Sequence, residues 1–182
     1  MPQIRARSET LTKELERSAR QRHRLSCSFF DIDHFKAIND EHGHVQGNVV
    51  LARAGDALLG SARAFDCVGR FGGDEFVVVM PETSLSEAHG AAKRMCIEMR
   101  KAISDATGLK VTASAGVAEW ERGNSMLELL EASDRALQAA KAMGGKEIYR
   151  GSPPRRRLAP LAGLVRARPK PKAKLQGRDA AR

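Results

Sequence analysis

The sequence predicts an α/β sandwich: a central, mainly antiparallel sheet flanked by helices. Apolar runs of strand length alternate with longer amphipathic stretches along residues 1–150. Two of the strand-length runs are joined directly through Gly72-Gly73-Asp74, which makes them an antiparallel hairpin. No internal repeat divides the chain.

Residues 8–23 read as a helix, with Ser8 as its cap and Leu11, Leu15 and Ala19 at i, i+4 and i+8. Leu25 to Asp31 is a buried strand. His34 to Asp40 reads as a short helix closed by a turn at His42-Gly43-His44. Gln46 to Ala64 is a long amphipathic helix, with Val49, Val50, Ala54, Ala57 and Leu58 on one face. Cys67 to Phe71 and Glu75 to Met80 form the hairpin, where the two glycines supply the positive φ angles of a tight turn. Pro81 ends the second strand and Ser84 caps a helix reaching about Ser104. Leu109 to Ala118 is a strand, Ser125 to Met143 a helix, and Lys146 to Tyr149 a short last strand.

The composition divides the chain at residue 150. Residues 151–182 carry ten arginines and lysines against Asp179 alone, which is the whole formal charge of +9. Residues 1–150 are neutral, so the folded part is not a basic nucleic-acid surface and no specific nucleic acid is expected as a partner. Pro153, Pro154, Pro160, Pro169 and Pro171 among those charges predict a disordered tail, whose basic charge fits an anionic surface. No apolar run reaches membrane-span length, and Cys27, Cys67 and Cys96 show no metal-ligand spacing. The expectation is a cytoplasmic protein with buried thiols.

Chemistry is concentrated at two strand ends. Phe71-Gly72-Gly73-Asp74-Glu75-Phe76 follows Arg70 and runs into Val77-Val78-Val79-Met80, so two carboxylates stand at a hairpin tip. Upstream, Phe29-Phe30-Asp31-Ile32-Asp33-His34-Phe35-Lys36 ends a second apolar run in carboxylates and a lysine. Two such ends with a lysine nearby could hold a divalent cation and a polyphosphate. For Asp33 the competing reading is a structural cap, and for His34 a residue at a helix start.

Arg70 to Phe76 and the stretch Asp31-Ile32-Asp33-His34-Phe35-Lys36-Ala37-Ile38-Asn39-Asp40, continued by Gly43-His44 and Gly47, resemble the two motifs of the GGDEF-domain diguanylate cyclases. The resemblance covers about residues 10 to 150. It implies a palm-like, nucleotidyl-cyclase-like fold and the condensation of two GTP molecules into cyclic di-GMP and pyrophosphate across a homodimer. It implies Mg²⁺ held by Asp31, the carbonyl of Ile32, and Asp74. Asp74 is also the candidate proton acceptor, Glu75 beside it a support for a second ion, and Lys36 the cation for developing phosphate charge. Phe35, Asn39, His44, Asn48 and Lys141 are the implied substrate contacts. Arg63-Ala64-Phe65-Asp66 matches the family's Arg-x-x-Asp product-inhibition site, with Arg94 as a secondary contact.

The chain departs from the family at three places. Asn48 replaces an aspartate that accepts from guanine, a change worth roughly 1–3 kcal/mol that implies looser base choice. Gly145 stands where a phosphate-binding arginine is expected, followed by Lys146. The usual lead-in before the first helix is missing, which implies an N-terminally short domain. The alternative function is therefore a degenerate domain that binds cyclic di-GMP as a receptor.

Overall fold

The structure is a computed structural model that describes residues 24–144 and 148–151. Its elements are β1 (Leu25–Ile32), α1 (Phe35–Ser61), β2 (Cys67–Arg70), β3 (Glu75–Pro81), α2 (Leu85–Thr107), β4 (Ala113–Glu119), α3 (Met126–Ala142) and β5 (Ile148–Gly151). The helix expected over residues 8–23 and the tail beyond Gly151 lie outside the described residues.

The five strands form one sheet in the order β2-β3-β1-β4-β5. Every pairing is antiparallel except β4 with β5, which is parallel. The central strand β1 is buried along its whole length. Its alternation divides the core. Phe30 and Ile32 join α1 and α2 on one face, while Leu25, Cys27 and Phe29 pack with Leu129, Ala132 and Leu137 of α3 on the other. Asp31 shares the second parity, so its side chain belongs to the α3 side of the sheet.

Two close approaches fix α3. A Cβ on Gly116 of β4 would lie 2.0 Å from the backbone nitrogen of Leu137 and 2.2 Å from the carbonyl oxygen of Ser133. A Cβ on Gly151 of β5 would lie 2.4 Å from the carbonyl oxygen of Ala132. The helix backbone therefore rests directly on the sheet, where any side chain would hold it away.

Several boundaries differ from the sequence reading for identifiable reasons. The break at Gly43 is real: its φ of 80° and ψ of 160° interrupt α1 where the turn is expected. β4 begins at Ala113 rather than Leu109, and the Thr112 carbonyl accepts instead from the Asp33 backbone N–H at 2.9 Å. α2 runs on to Thr107, where Gly108 closes it at φ 72°, and a reciprocal Ser84–Glu87 capping box begins it. β5 runs to Gly151 rather than Tyr149. Among the described residues no disulfide joins the cysteines; Cys27 and Cys96 are buried and Cys67 half-buried. Burial pushes the Cys27 and Cys96 thiols up to about 12. Among the described residues no helix is long and apolar enough to cross a membrane.

Candidate active site

The hairpin turn is held by contacts other than those the sequence reading gave it. Neither Gly72 nor Gly73 lies in the left-handed region of φ. The Phe71 backbone N–H donates to the Glu75 carbonyl at 2.8 Å, and the Arg70 Nε donates to the Gly73 carbonyl at 3.0 Å. A second guanidinium nitrogen of Arg70 reaches the same oxygen. A Cβ on Gly72 would lie 2.8 Å from a Glu75 carboxylate oxygen, the movable end of a side chain that would have to swing aside. Phe71 sits edge-on to Phe29 with ring centroids 5.0 Å apart, which ties the turn to the central strand.

The ladder brings the two acidic strand ends together. Asp31 is directly opposite Glu75 across the β1–β3 pair, one residue from Asp74. Directly opposed residues share a face, so these carboxylates repel one another. Asp31 is only 3% exposed. Burial pushes its carboxyl up from 3.8 to about 6, with Asp74 and Glu75 adding to the rise and Lys141 opposing it. The opposition is direct: Lys141 Nζ lies 2.6 Å from Asp31 Oδ2. Lys141 reaches it from the last turn of α3, four residues beyond the Leu137 backbone that rests on Gly116.

Residues 31–36, Asp74, Lys141 and Gly144 line a cleft of about 550 Å³. The cleft therefore collects Asp31, Ile32, Phe35, Lys36, Asp74 and Lys141 of the predicted site. Glu75 stands beside it, opposite Asp31, without lining it. Asp33 lines the cleft but is engaged elsewhere. Its carboxylate accepts from Thr112 Oγ1 at 2.6 Å and from Ser114 Oγ at 2.7 Å, so it braces the sheet end rather than capping α1, whose N-cap is His34. His34 begins α1 in the left-handed conformation at φ 58°, strained for a residue with a Cβ, and its carbonyl accepts from Ala37 and Ile38. The first N–H groups of α1 thus open at the cleft without intrahelical partners.

The structure does not place Asn39, His44 and Asn48 on the cleft wall. They sit along α1 around its Gly43 break, with His44 and Asn48 exposed. Asn39 Oδ1 and the Phe35 ring occupy the space above Gly47, where a Cβ would lie 1.9 Å and 3.3 Å from them. Arg63 and Asp66 meet at the far end of α1, where the Arg63 backbone N–H donates to Asp66 Oδ2 at 2.8 Å. Arg94 of α2 joins both around a shallow depression floored by Met80 and Met95. Sequence reasoning missed Thr112 and Ser114, which hold Asp33 from 79 and 81 residues away, and no local pattern marks them.

Among the described residues no three His, Cys, Asp or Glu side chains form a metal cluster. Asp31 and Asp74 bring hard carboxylate oxygens to the cleft lining. That set suits Mg²⁺, which takes one or two carboxylates and completes its shell with water and substrate phosphate.

A sequence profile described as "Diguanylate cyclase, GGDEF domain" matches residues 3–147. The chain is 37% identical over 150 residues to Diguanylate cyclase DgcP of Pseudomonas aeruginosa, covering 79% of this chain and 22% of that protein. It is 33% identical over 134 residues to Diguanylate cyclase A of Treponema denticola, covering 72% of this chain and 36% of the relative. The chain thus spans about a fifth to a third of the length of these curated relatives. The GGDEF domain of DgcB from Caulobacter crescentus, solved in complex with c-di-GMP, superposes with a TM-score of 0.73 at 25% identity, over 80% of this chain and 88% of that one.

Proposed function

The chain belongs to the GGDEF-domain family of diguanylate cyclases, and from that membership we propose that it condenses two GTP molecules into cyclic di-GMP with release of pyrophosphate. The observation that carries the reading is the cleft itself: Asp31 and Asp74, from a strand end and a hairpin tip, face one space with Lys36 and Lys141. In this reading Asp31, the Ile32 carbonyl and Asp74 hold Mg²⁺. The ion would lower the pKa of the attacking 3′-hydroxyl and neutralise phosphate charge.

The side chains divide the remaining work. Asp74 takes the hydroxyl proton, with Glu75 beside it sustaining the negative field. Lys36 balances charge developing at the α-phosphate. Lys141 is placed to balance either Asp31 or a triphosphate oxygen. The open N–H groups of α1 receive phosphate. Asn39, His44 and Asn48 meet the nucleoside, with Phe35 between them and the phosphates. Each domain holds one GTP, and a homodimer brings the two together.

Turnover of GTP with Mg²⁺ by the full chain, resolved by nucleotide chromatography, tests this reading. Cyclic di-GMP is expected from the wild type and none from Asp74→Ala. A wild type that forms no product across a wide range of protein concentration sinks it.

A second activity is supported by the convergence of Arg63, Asp66 and Arg94 on one depression. Two cations beside a carboxylate acceptor suit the guanine edge and phosphate of cyclic di-GMP. Binding there restrains the cyclase in the first reading and is the whole function in the receptor reading. Calorimetry of cyclic di-GMP against wild type and Arg63→Ala, run beside the turnover assay, separates them.

A further inference from the structure

A second groove lies apart from both sites. It runs between α2 and the edge of the sheet where β4 and β5 begin, and shares no lining residue with the cleft or with the Arg63 depression. Its volume is about 270 Å³. His89, Lys93 and Arg100 form one wall, and Ile97, Ala113 and Ile148 give an apolar floor. Among the described residues no Asp or Glu lines it. His89, Lys93 and Arg100 also make no hydrogen bond or ion pair there with any described residue.

Lys93 and Arg100 line the groove with no carboxylate beside them in its wall, and the His89 imidazole adds a hydrogen-bond donor, so the groove suits negative charge from elsewhere. The rest of the chain offers little. Residues 1–23 hold six lysines and arginines against three acids, residues 152–182 hold ten against one, and residues 145–147 hold one of each. The occupant is therefore an external anion. At 1.5 Å per residue, His89 and Lys93 are about 6 Å apart along the helix, and Lys93 and Arg100 about 10 Å. A single phosphate placed at one end leaves the other end unmatched, whereas linked phosphoryl groups reach further along the row. The volume falls just under that of sites for drug-sized ligands, about 300–1,000 Å³, so the ligand is small.

We propose that this groove binds a small oligophosphate anion, with Arg100 gripping one phosphoryl group as a fork, Lys93 supplying a point charge, and His89 donating at the far end. The inference is independent of the catalytic reading, and its failure leaves that reading untouched.

The test is calorimetric titration of the metal-free full chain with inorganic pyrophosphate, and separately with orthophosphate, at constant ionic strength. Pyrophosphate is expected to bind more tightly than orthophosphate. The pair Lys93→Ala/Arg100→Ala is expected to weaken pyrophosphate about tenfold or more. The exposed control pair Lys101→Ala/Lys110→Ala removes the same charge outside the groove and is expected to change affinity less than about twofold. Equal losses in both pairs, or none in the groove pair, overturn the proposal. Lys93→Gln/Arg100→Gln serves if the alanine pair loses its native circular dichroism. Acetylation of lysines mapped by mass spectrometry gives the location. Protection of Lys93 by pyrophosphate supports the site, and protection of Lys36 or Lys141 without Lys93 overturns it.

Discussion

Lys141 Nζ lies 2.6 Å from Asp31 Oδ2, joining the last turn of α3 to the end of the central strand. The pair is unequal in exposure, with the Asp31 side chain at 4% and the Lys141 side chain at 34%. Asp31 depends on this contact more than Lys141 does, since a buried carboxylate without a counter-ion is costly.

Lys141→Met is expected to destabilise the metal-free chain by about 1–3 kcal/mol, below the range for a fully buried pair because water screens the lysine. Asp31→Asn in the same background should recover part of that loss. Urea unfolding of the two single variants and the double variant measures the coupling, and strict additivity would refute it.

The raised Asp31 carboxyl sets a pH dependence. It binds a proton more readily folded than unfolded, so its contribution to stability is fully present below 3.8 and is lost as pH rises through about 6. Asp31→Asn should flatten that part of the stability profile. Mg²⁺ needs the carboxylate, so its stabilising effect should be small at acidic pH and grow above about 6. Melting with and without Mg²⁺ across this range reads both trends.

Gly116→Ala is expected to cost about 1–3 kcal/mol, because its Cβ would meet the α3 backbone rather than a flexible side chain. Lifting α3 also draws Lys141 away from Asp31, so the variant should lose part of the Lys141→Met effect. A double-mutant cycle between Gly116→Ala and Lys141→Met checks this.

Ser28 Oγ is buried in the middle of β1 with no hydrogen-bond partner among the described residues. Ser28→Ala is expected to be neutral or to stabilise by about 1 kcal/mol, since it removes an unsatisfied group. A clear loss of stability in denaturant melts would show that the hydroxyl has a partner.

Gly47→Ala separates folding from nucleotide binding. Alanine favours the helix by about 1 kcal/mol, yet its Cβ must displace the Asn39 amide, a movable side-chain end. Stability should hold while GTP affinity falls, and unchanged GTP affinity would remove Asn39 from the site.

Local signals carried most of the fold. The strand Leu25–Asp31, the break at Gly43, the Ser84 cap and the hairpin each rest on residues within a few positions of one another. Distant contacts were not legible. Leu109 to Thr112 alternate like a strand, but Thr112 turns its carbonyl and hydroxyl to Asp33. Gly72 and Gly73 promised positive φ, yet neither adopts it and Arg70 closes the turn. Asp31 and Lys141 were each named from a resemblance, but their direct contact depends on Gly116 admitting α3 to the sheet. The weaker placement of Asn39, His44 and Asn48 has the same origin, because the angle between the halves of a broken helix is a matter of tertiary packing.

Asp31 belongs to a strand laced on one side to β3 and on the other to β4. Shifting its backbone would unzip two ladders at once, so this carboxylate is the immovable anvil of the cleft. Whatever enters must be met by pieces hung at the margins: a hairpin tip clipped by one arginine and a lysine at the loose end of a helix. Adaptation to different occupants should therefore show up as altered hydrogen exchange in those two places, while the amides of β1 stay as protected as before.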